Sequence, residues 1–159
     1  MAEQSLRLAF DTNILVYGEG VVRAASDSAK CAVAARLIIG LEDAPIIIAR
    51  QALAEFHAVL VRKDGQAPAD AAASVHRWVR RSRVVDTDAT VFEAALELAS
   101  DHGIPIFDAV ILAAAVEARC DLLLSEDFHD GFAWRGVVVS NPFGPAPDAR
   151  VTRFLASAS

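Results

Sequence analysis

Four acidic residues stand where side chains could do chemistry. Asp11 directly follows a short apolar run in Phe10-Asp11-Thr12-Asn13-Ile14-Leu15. Asp127, with Glu126 beside it, follows a second such run in Leu123-Leu124-Ser125-Glu126-Asp127-Phe128. Asp108 opens the very apolar stretch Phe107-Asp108-Ala109-Val110-Ile111-Leu112, where its i+3 and i+4 neighbours are Ile111 and Leu112. At helical spacing that places a carboxylate on an apolar face, which is costly unless something pairs with it. Glu55 sits at the border of the stripe Ala52, Leu53, Phe56, Val59 and Leu60. Singly, each has an ordinary role: Asp11 as a turn or helix cap, Glu55 as a solvated edge residue, Asp108 as a complement to a helix dipole. Together they could share one site, where mutual repulsion would raise their pKa values. A hard divalent cation, Mg2+ or Mn2+, removes that conflict, and no His or Cys shares the pattern. Such a site suits phosphodiester hydrolysis, because the cation polarises a phosphoryl oxygen and acidifies a bound water.

Convergence depends on the elements that carry these acids. Apolar runs at 6–10, 45–49, 84–86, 122–124 and 137–139 read as strands. Segments 28–41, 51–63, 68–83, 88–102 and 107–119 read as helices, the fourth closed by His102-Gly103. Strands alternating with helices predict an α/β fold, a Rossmann-like α/β/α sandwich around a mainly parallel sheet of about five strands. Ligands of such sheets bind beyond the carboxyl ends of the strands. Asp11 and Asp127, each following a strand, fall on that edge. Residues 1–143 are expected to form one domain, and 144–159, with Pro145 and Pro147, a loosely held tail.

The chain has 159 residues, enough for one cored domain without disulfides or a structural metal. Its two cysteines, Cys31 and Cys120, have no zinc-ligand spacing, which points to a reducing cytoplasm. The polar start, Met1 to Ser5, does not read as a signal peptide, and no apolar run is long enough to span a bilayer. The net charge is −6, unusual for a nucleic-acid binder, but positive charge gathers at His76-Arg77-Trp78-Val79-Arg80-Arg81-Ser82-Arg83. Arg77, Arg80 and Arg81 share a helical face and could contact phosphates, aided by Arg50, Arg62 and Lys63; a solvated face is the equal alternative. His57, His76, His102 and His129 have no constellation marking a general base, and Trp78 and Trp134 suit packing as well as base stacking.

Five pieces in order resemble the PIN-domain nucleases, specifically the VapC-type toxins of toxin–antitoxin pairs. They are Phe10-Asp11-Thr12-Asn13-Ile14-Leu15-Val16-Tyr17, Leu53-Ala54-Glu55-Phe56, Phe107-Asp108-Ala109-Val110-Ile111-Leu112-Ala113-Ala114-Ala115, Leu123-Leu124-Ser125-Glu126-Asp127-Phe128 and Ser140-Asn141-Pro142-Phe143. The resemblance implies a PIN fold and a cytoplasmic metal-dependent ribonuclease using Mg2+, with Mn2+ as a substitute. It implies catalytic and metal-binding roles for Asp11, Glu55 and Asp108. The fourth acid maps onto Asp127, with Glu126 the alternative and Asp130 a distant third. Thr12 or Asn13, and Ser125, would be the small polar residues near the metal. A homodimer, an RNA substrate and a small antitoxin partner are implied as well, and the basic helix face could equally meet that antitoxin. Rival readings are a PIN fold without activity that serves as a binding module, and a Mg2+-binding receiver domain. A receiver needs a lysine after its last strand, and the only lysines are Lys30 and Lys63. A haloacid-dehalogenase phosphatase needs Asp-x-Asp where this chain has Asp11-Thr12-Asn13.

Overall fold

A computed structural model describes residues 6–157; the polar start Met1 to Ser5 lies outside the described residues. The centre of the fold is β1 (Leu8–Phe10), a three-residue strand buried on both faces. It pairs in parallel with β2 (Ile46–Ala49) on one side and β4 (Leu122–Leu124) on the other. Strands buried on both faces read as continuous apolar runs rather than alternating ones, and Ile46-Ile47-Ile48 and Leu122-Leu123-Leu124 are of that kind. β3 (Arg83–Val85) extends the sheet beyond β2, and β6 (Val137–Ser140) beyond β4. Two-residue β5 (Ala133–Trp134) pairs antiparallel with β6, so the order is β3-β2-β1-β4-β6-β5. Among the described residues the sheet has six strands rather than about five, because a two-residue edge strand leaves no periodicity to read.

The order of connection matters for function. From β1 the chain moves through β2 to β3, then returns to the other side of β1 for β4 and β6. The direction of winding reverses between β1 and β4, the switch point at which open α/β sheets form a crevice. Phe10, Ile48 and Leu124 stand in register across the three central strands. The next residues, Asp11, Ala49 and Ser125, therefore sit level on one edge.

Helices connect the strands: α1 (Thr12–Gly18), α2 (Asp27–Gly40), α3 (Arg50–Arg62), α4 (Pro68–Arg81), α5 (Ala89–His102) and α6 (Ile106–Glu117). α1 and α3 leave β1 and β2 at the carboxyl edge, with one intervening residue and none respectively. α6 precedes β4, so its first turn lies at that same edge while its last reaches the start of β1, where Arg7 donates to the Ala118 carbonyl. Asp88 caps α5 by accepting from the Val91 amide, and Gly103 ends it in the left-handed conformation (φ 66°) that glycine adopts without steric cost.

Two segments depart from expectation. Thr12–Gly18 is helical although its residues are largely β-branched or aromatic; Asp11 caps it, and burial of Ile14, Leu15, Val16 and Tyr17 outweighs weak helix propensity. The tail folds too: α7 (Ala149–Ser157) packs against α2, with Val151 fully buried and Arg36 donating to the Leu155 carbonyl. Helices α2 and α7 approach at Gly40, where a Cβ would overlap the Phe154 carbonyl.

Candidate functional site

Asp11 is the most constrained of the acids. Burial leaves it 1% exposed at the end of the central strand. One carboxylate oxygen accepts from the Thr12 amide at 2.6 Å and the other from the Ser125 hydroxyl at 2.5 Å. Those bonds favour the ionised form, but burial outweighs them, and Asp127 and Asp108 add repulsion; the pKa rises to about 7. An N-cap needs no such burial, so the capping role alone does not account for this residue.

Ser125 ties the two central strands together. Its hydroxyl donates to Asp11 and accepts from the Asp127 amide at 3.1 Å and the Asn13 side-chain amide at 3.4 Å. Asn13 also donates to Asp127 Oδ2 at 3.1 Å, which orients that exposed carboxylate. The Asn13 carbonyl oxygen is buried and has no partner. An unpaired buried acceptor is costly, and it belongs to the side-chain amide whose nitrogen donates to Ser125 and Asp127.

Glu126 is engaged elsewhere. It accepts from Lys30 Nζ and from the Tyr17 hydroxyl, each at 2.6 Å. Tyr17 also packs edge-on against Phe143. Nothing in the sequence marks Lys30, which lies 96 residues from its partner.

Glu55 is half-buried in the second turn of α3. It accepts from Thr12 Oγ1 at 3.3 Å and from Gln51 Nε2 at 3.0 Å. Asp108 lies in the first turn of α6, whose amino end has no side-chain cap. Burial, then repulsion from Asp127 and Glu55, raises its pKa to about 6. Asp11, Glu55, Asp108 and Asp127 are thus brought to the carboxyl edge, where Asp127 and Asp108 repel Asp11, and Asp127 and Glu55 repel Asp108.

This donor set fits a hard divalent cation: several carboxylates, amide and hydroxyl oxygens, one of them orphaned, and no thiolate or imidazole. Among the described residues, however, no three acidic, His or Cys side chains converge closely enough to form a finished metal cage. Asp11 is the most buried of the four and held by two hydrogen bonds, whereas Asp127 is exposed and Glu55 and Asp108 are half-buried.

The predicted phosphate-contacting face is not brought to this edge. Arg77 ion-pairs with Glu19, which also accepts from Ser74, and Arg81 donates to the Ile38 carbonyl of α2. α4 leads directly into β3, so Arg80 and Arg81 lie at the amino edge of the sheet, opposite the acids. Arg50 pairs with Asp86. Trp78 is buried edge-on against Phe10, Arg135 stacks over Trp134, and both cysteines are free.

Comparison with known proteins agrees with this geometry. No curated protein matches the chain. Among solved structures, the toxin VapC20 of Mycobacterium tuberculosis, described as cleaving the sarcin–ricin loop, aligns at 21% identity over 73% of this chain and 86% of its own, with a TM-score of 0.59. VapBC2 from Rickettsia felis, bound to a promoter DNA fragment, aligns at 17% identity over 77% and 89%, with a TM-score of 0.57. A toxin–antitoxin complex from Klebsiella pneumoniae aligns at 20% identity over 85% and 97%, with a TM-score of 0.58. Likeness at these identities speaks for the fold alone. The PIN domain profile, in contrast, matches residues 8–132, which include Asp11, Glu55, Asp108 and Asp127. The chain belongs to the PIN domain family.

Proposed function

We propose that this protein is a divalent-metal-dependent endoribonuclease, the toxin of a VapC-type toxin–antitoxin pair. The observation that carries the proposal is the gathering of Asp11, Glu55, Asp108 and Asp127 at the switch point, where burial pushes Asp11 up to about 7 and Asp127 and Asp108 add repulsion. The likeness in fold to VapC20, described as a toxin that cleaves the sarcin–ricin loop, supports the same reading.

In this reading Asp11, Asp108, Asp127 and Glu55 hold Mg2+ or Mn2+. When bound, the cation supplies Lewis-acid polarisation of the phosphoryl oxygen and stabilises charge on the attacking and leaving oxygens. The protein's own groups preorganise the donors. Thr12 and Ser125 fix Asp11, Asn13 and Ser125 aim Asp127, and Thr12 and Gln51 hold Glu55. Asp127 rather than Glu126 is the fourth acid, because Lys30 and Tyr17 already neutralise and restrain Glu126. Glu126 then serves as a brace that keeps the loop after β4 in place.

The substrate is unpaired RNA, whose exposed backbone and splayed bases can approach an open edge. With acids on that edge and the arginines of α4 on the other, substrate affinity depends on the cation rather than on a basic groove. A homodimer, an antitoxin that covers the acidic edge, and a cytoplasmic location complete the reading. No helix among the described residues is long and apolar enough to cross a membrane.

The test is incubation of the purified protein with labelled single-stranded RNA in Mg2+ or Mn2+, beside an EDTA lane. Discrete products in the metal lanes alone are expected. Decay that persists in EDTA, or none in any lane, overturns the proposal; metal binding without cleavage would favour an inactive PIN binding module.

A further inference from the structure

Beside the acids, and sharing a wall with them, a cavity of about 250 Å3 opens between the α5–α6 turn and the loop after β4. Asp108 and Asp127 form the shared wall, and Phe128, Phe132, His102 and His129 line the rest together with the turn 103–105. The His102 imidazole meets the Phe132 ring edge-on, with centroids 5.3 Å apart and planes at 78°. Both phenylalanines are partly buried against the core, which holds them in place, while both histidines are exposed. Gly103, in its left-handed turn, ends α5 directly after His102 and keeps the turn free of side-chain bulk beside the cavity.

We infer that this cavity is a subsite for one unpaired nucleobase of the RNA, next to the phosphate that is cut. The inference rests on the ribonuclease reading of the adjacent acids. Three features lead to it. The cavity is contiguous with Asp108 and Asp127, so an occupant bonded to the scissile phosphate enters it without a linker. Its lining includes two phenylalanines and two histidines; aromatic and imidazole rings are what single-stranded RNA readers stack bases on, and imidazole nitrogens can hydrogen-bond a base edge. No lysine or arginine lines it, and two carboxylates do, so a second phosphate is disfavoured there. The subsite therefore sets which base flanks the cut, and Phe132 and Phe128 are specificity-determining residues.

The experiment has two arms on the full-length protein in Mg2+. In the first, amide NMR signals are followed while nucleoside 5′-monophosphates are added, with ribose 5-phosphate as the control. Signals of Gly103, Ile104, Phe128 and Phe132 are expected to move with at least one nucleotide and to stay with ribose 5-phosphate, and Phe132→Leu should abolish the movement. In the second, random-sequence single-stranded RNA is cleaved and the new ends are sequenced. Phe132→Leu keeps the apolar bulk but removes the ring; it is expected to raise KM roughly tenfold, or ~1.4 kcal/mol, more than it lowers kcat, and to flatten the base preference beside the cut. An amide spectrum otherwise like wild type shows that the variant folds. Equal movement with ribose 5-phosphate, or wild-type KM and base preference in Phe132→Leu, overturns the subsite even if the protein cuts RNA. Nucleotide binding in a protein that cuts no RNA would instead overturn the nuclease reading and leave the pocket standing.

Discussion

Replacing Asp11 with Asn should remove a pH dependence of stability that the wild type carries in the absence of metal. The folded pKa of Asp11 is about 7 against an ordinary value of 3.8. Between those values the folded state keeps a proton that the unfolded state has released, so stability falls as pH rises and levels off above pH 7. The shift is about three pH units, or about 4 kcal/mol in all at ~1.36 kcal/mol per unit. Over the experimentally convenient window from pH 5 to 8, the wild type loses more than half of this, on the order of 2 to 3 kcal/mol. Asn cannot ionise, and it can accept from Thr12 or from Ser125 but not from both, so it loses about 1 kcal/mol of hydrogen bonding at every pH. The measurement is urea unfolding in EDTA at several pH values, followed by circular dichroism. The gap between variant and wild type should change in the variant's favour by about 2 to 3 kcal/mol across the window. Parallel curves would refute the claim that an ionised Asp11 is held without compensation. Adding Mg2+ should then flatten the wild-type curve, because a ligand of the folded state at 100 times its Kd contributes about 2.7 kcal/mol.

Other perturbations separate the parts of the account. Glu126→Gln should leave the rise in melting temperature on adding Mn2+ intact, whereas Asp127→Asn should reduce it; the reverse pattern would exchange their roles. Gly40→Ala should destabilise the protein by about 1–3 kcal/mol in chemical denaturation, since a Cβ there meets the backbone of α7. Replacing Arg77, Arg80 and Arg81 together with Ala should leave the rate of RNA cleavage and its salt dependence as in wild type, at a cost of about 1 kcal/mol or less in stability per exposed pair. A weakened salt slope in that variant would return these arginines to the RNA path.

Much of the site can be read from local conflict and topology. Asp108 on an apolar helix face signals an unmet partner, and Asp11 following an apolar strand lies where parallel sheets bind ligands. The choice between Glu126 and Asp127 cannot be read locally. The two are adjacent, and it is Lys30, 96 residues from Glu126, that distinguishes them. The arginines show the converse limit: helical spacing says that Arg77, Arg80 and Arg81 share a face, but not which end of the sheet that face occupies. Here α4 enters β3 from the amino edge and carries them away from the acids. α1 and α7 were hidden for a related reason. Thr12–Gly18 is helical through burial against the core, and Ala149–Ser157 through docking on α2, and neither follows from local propensity. Asn13 shows how chemistry hides in a plain turn residue: its bonds to Ser125 and Asp127 exist only once β1 and β4 lie side by side.

The central claim is that four carboxylates act as one metal-dependent centre for RNA cleavage. Its most direct test is the initial rate of cleavage of a labelled single-stranded RNA in Mg2+ by wild type, Asp11→Asn, Glu55→Gln, Asp108→Asn, Asp127→Asn and Glu126→Gln. Each of the first four substitutions should lower the rate by at least about a hundredfold, on the scale of losing one charge-stabilising group, while Glu126→Gln retains most of it. Cleavage by Asp108→Asn or Asp11→Asn at the wild-type rate would contradict the account.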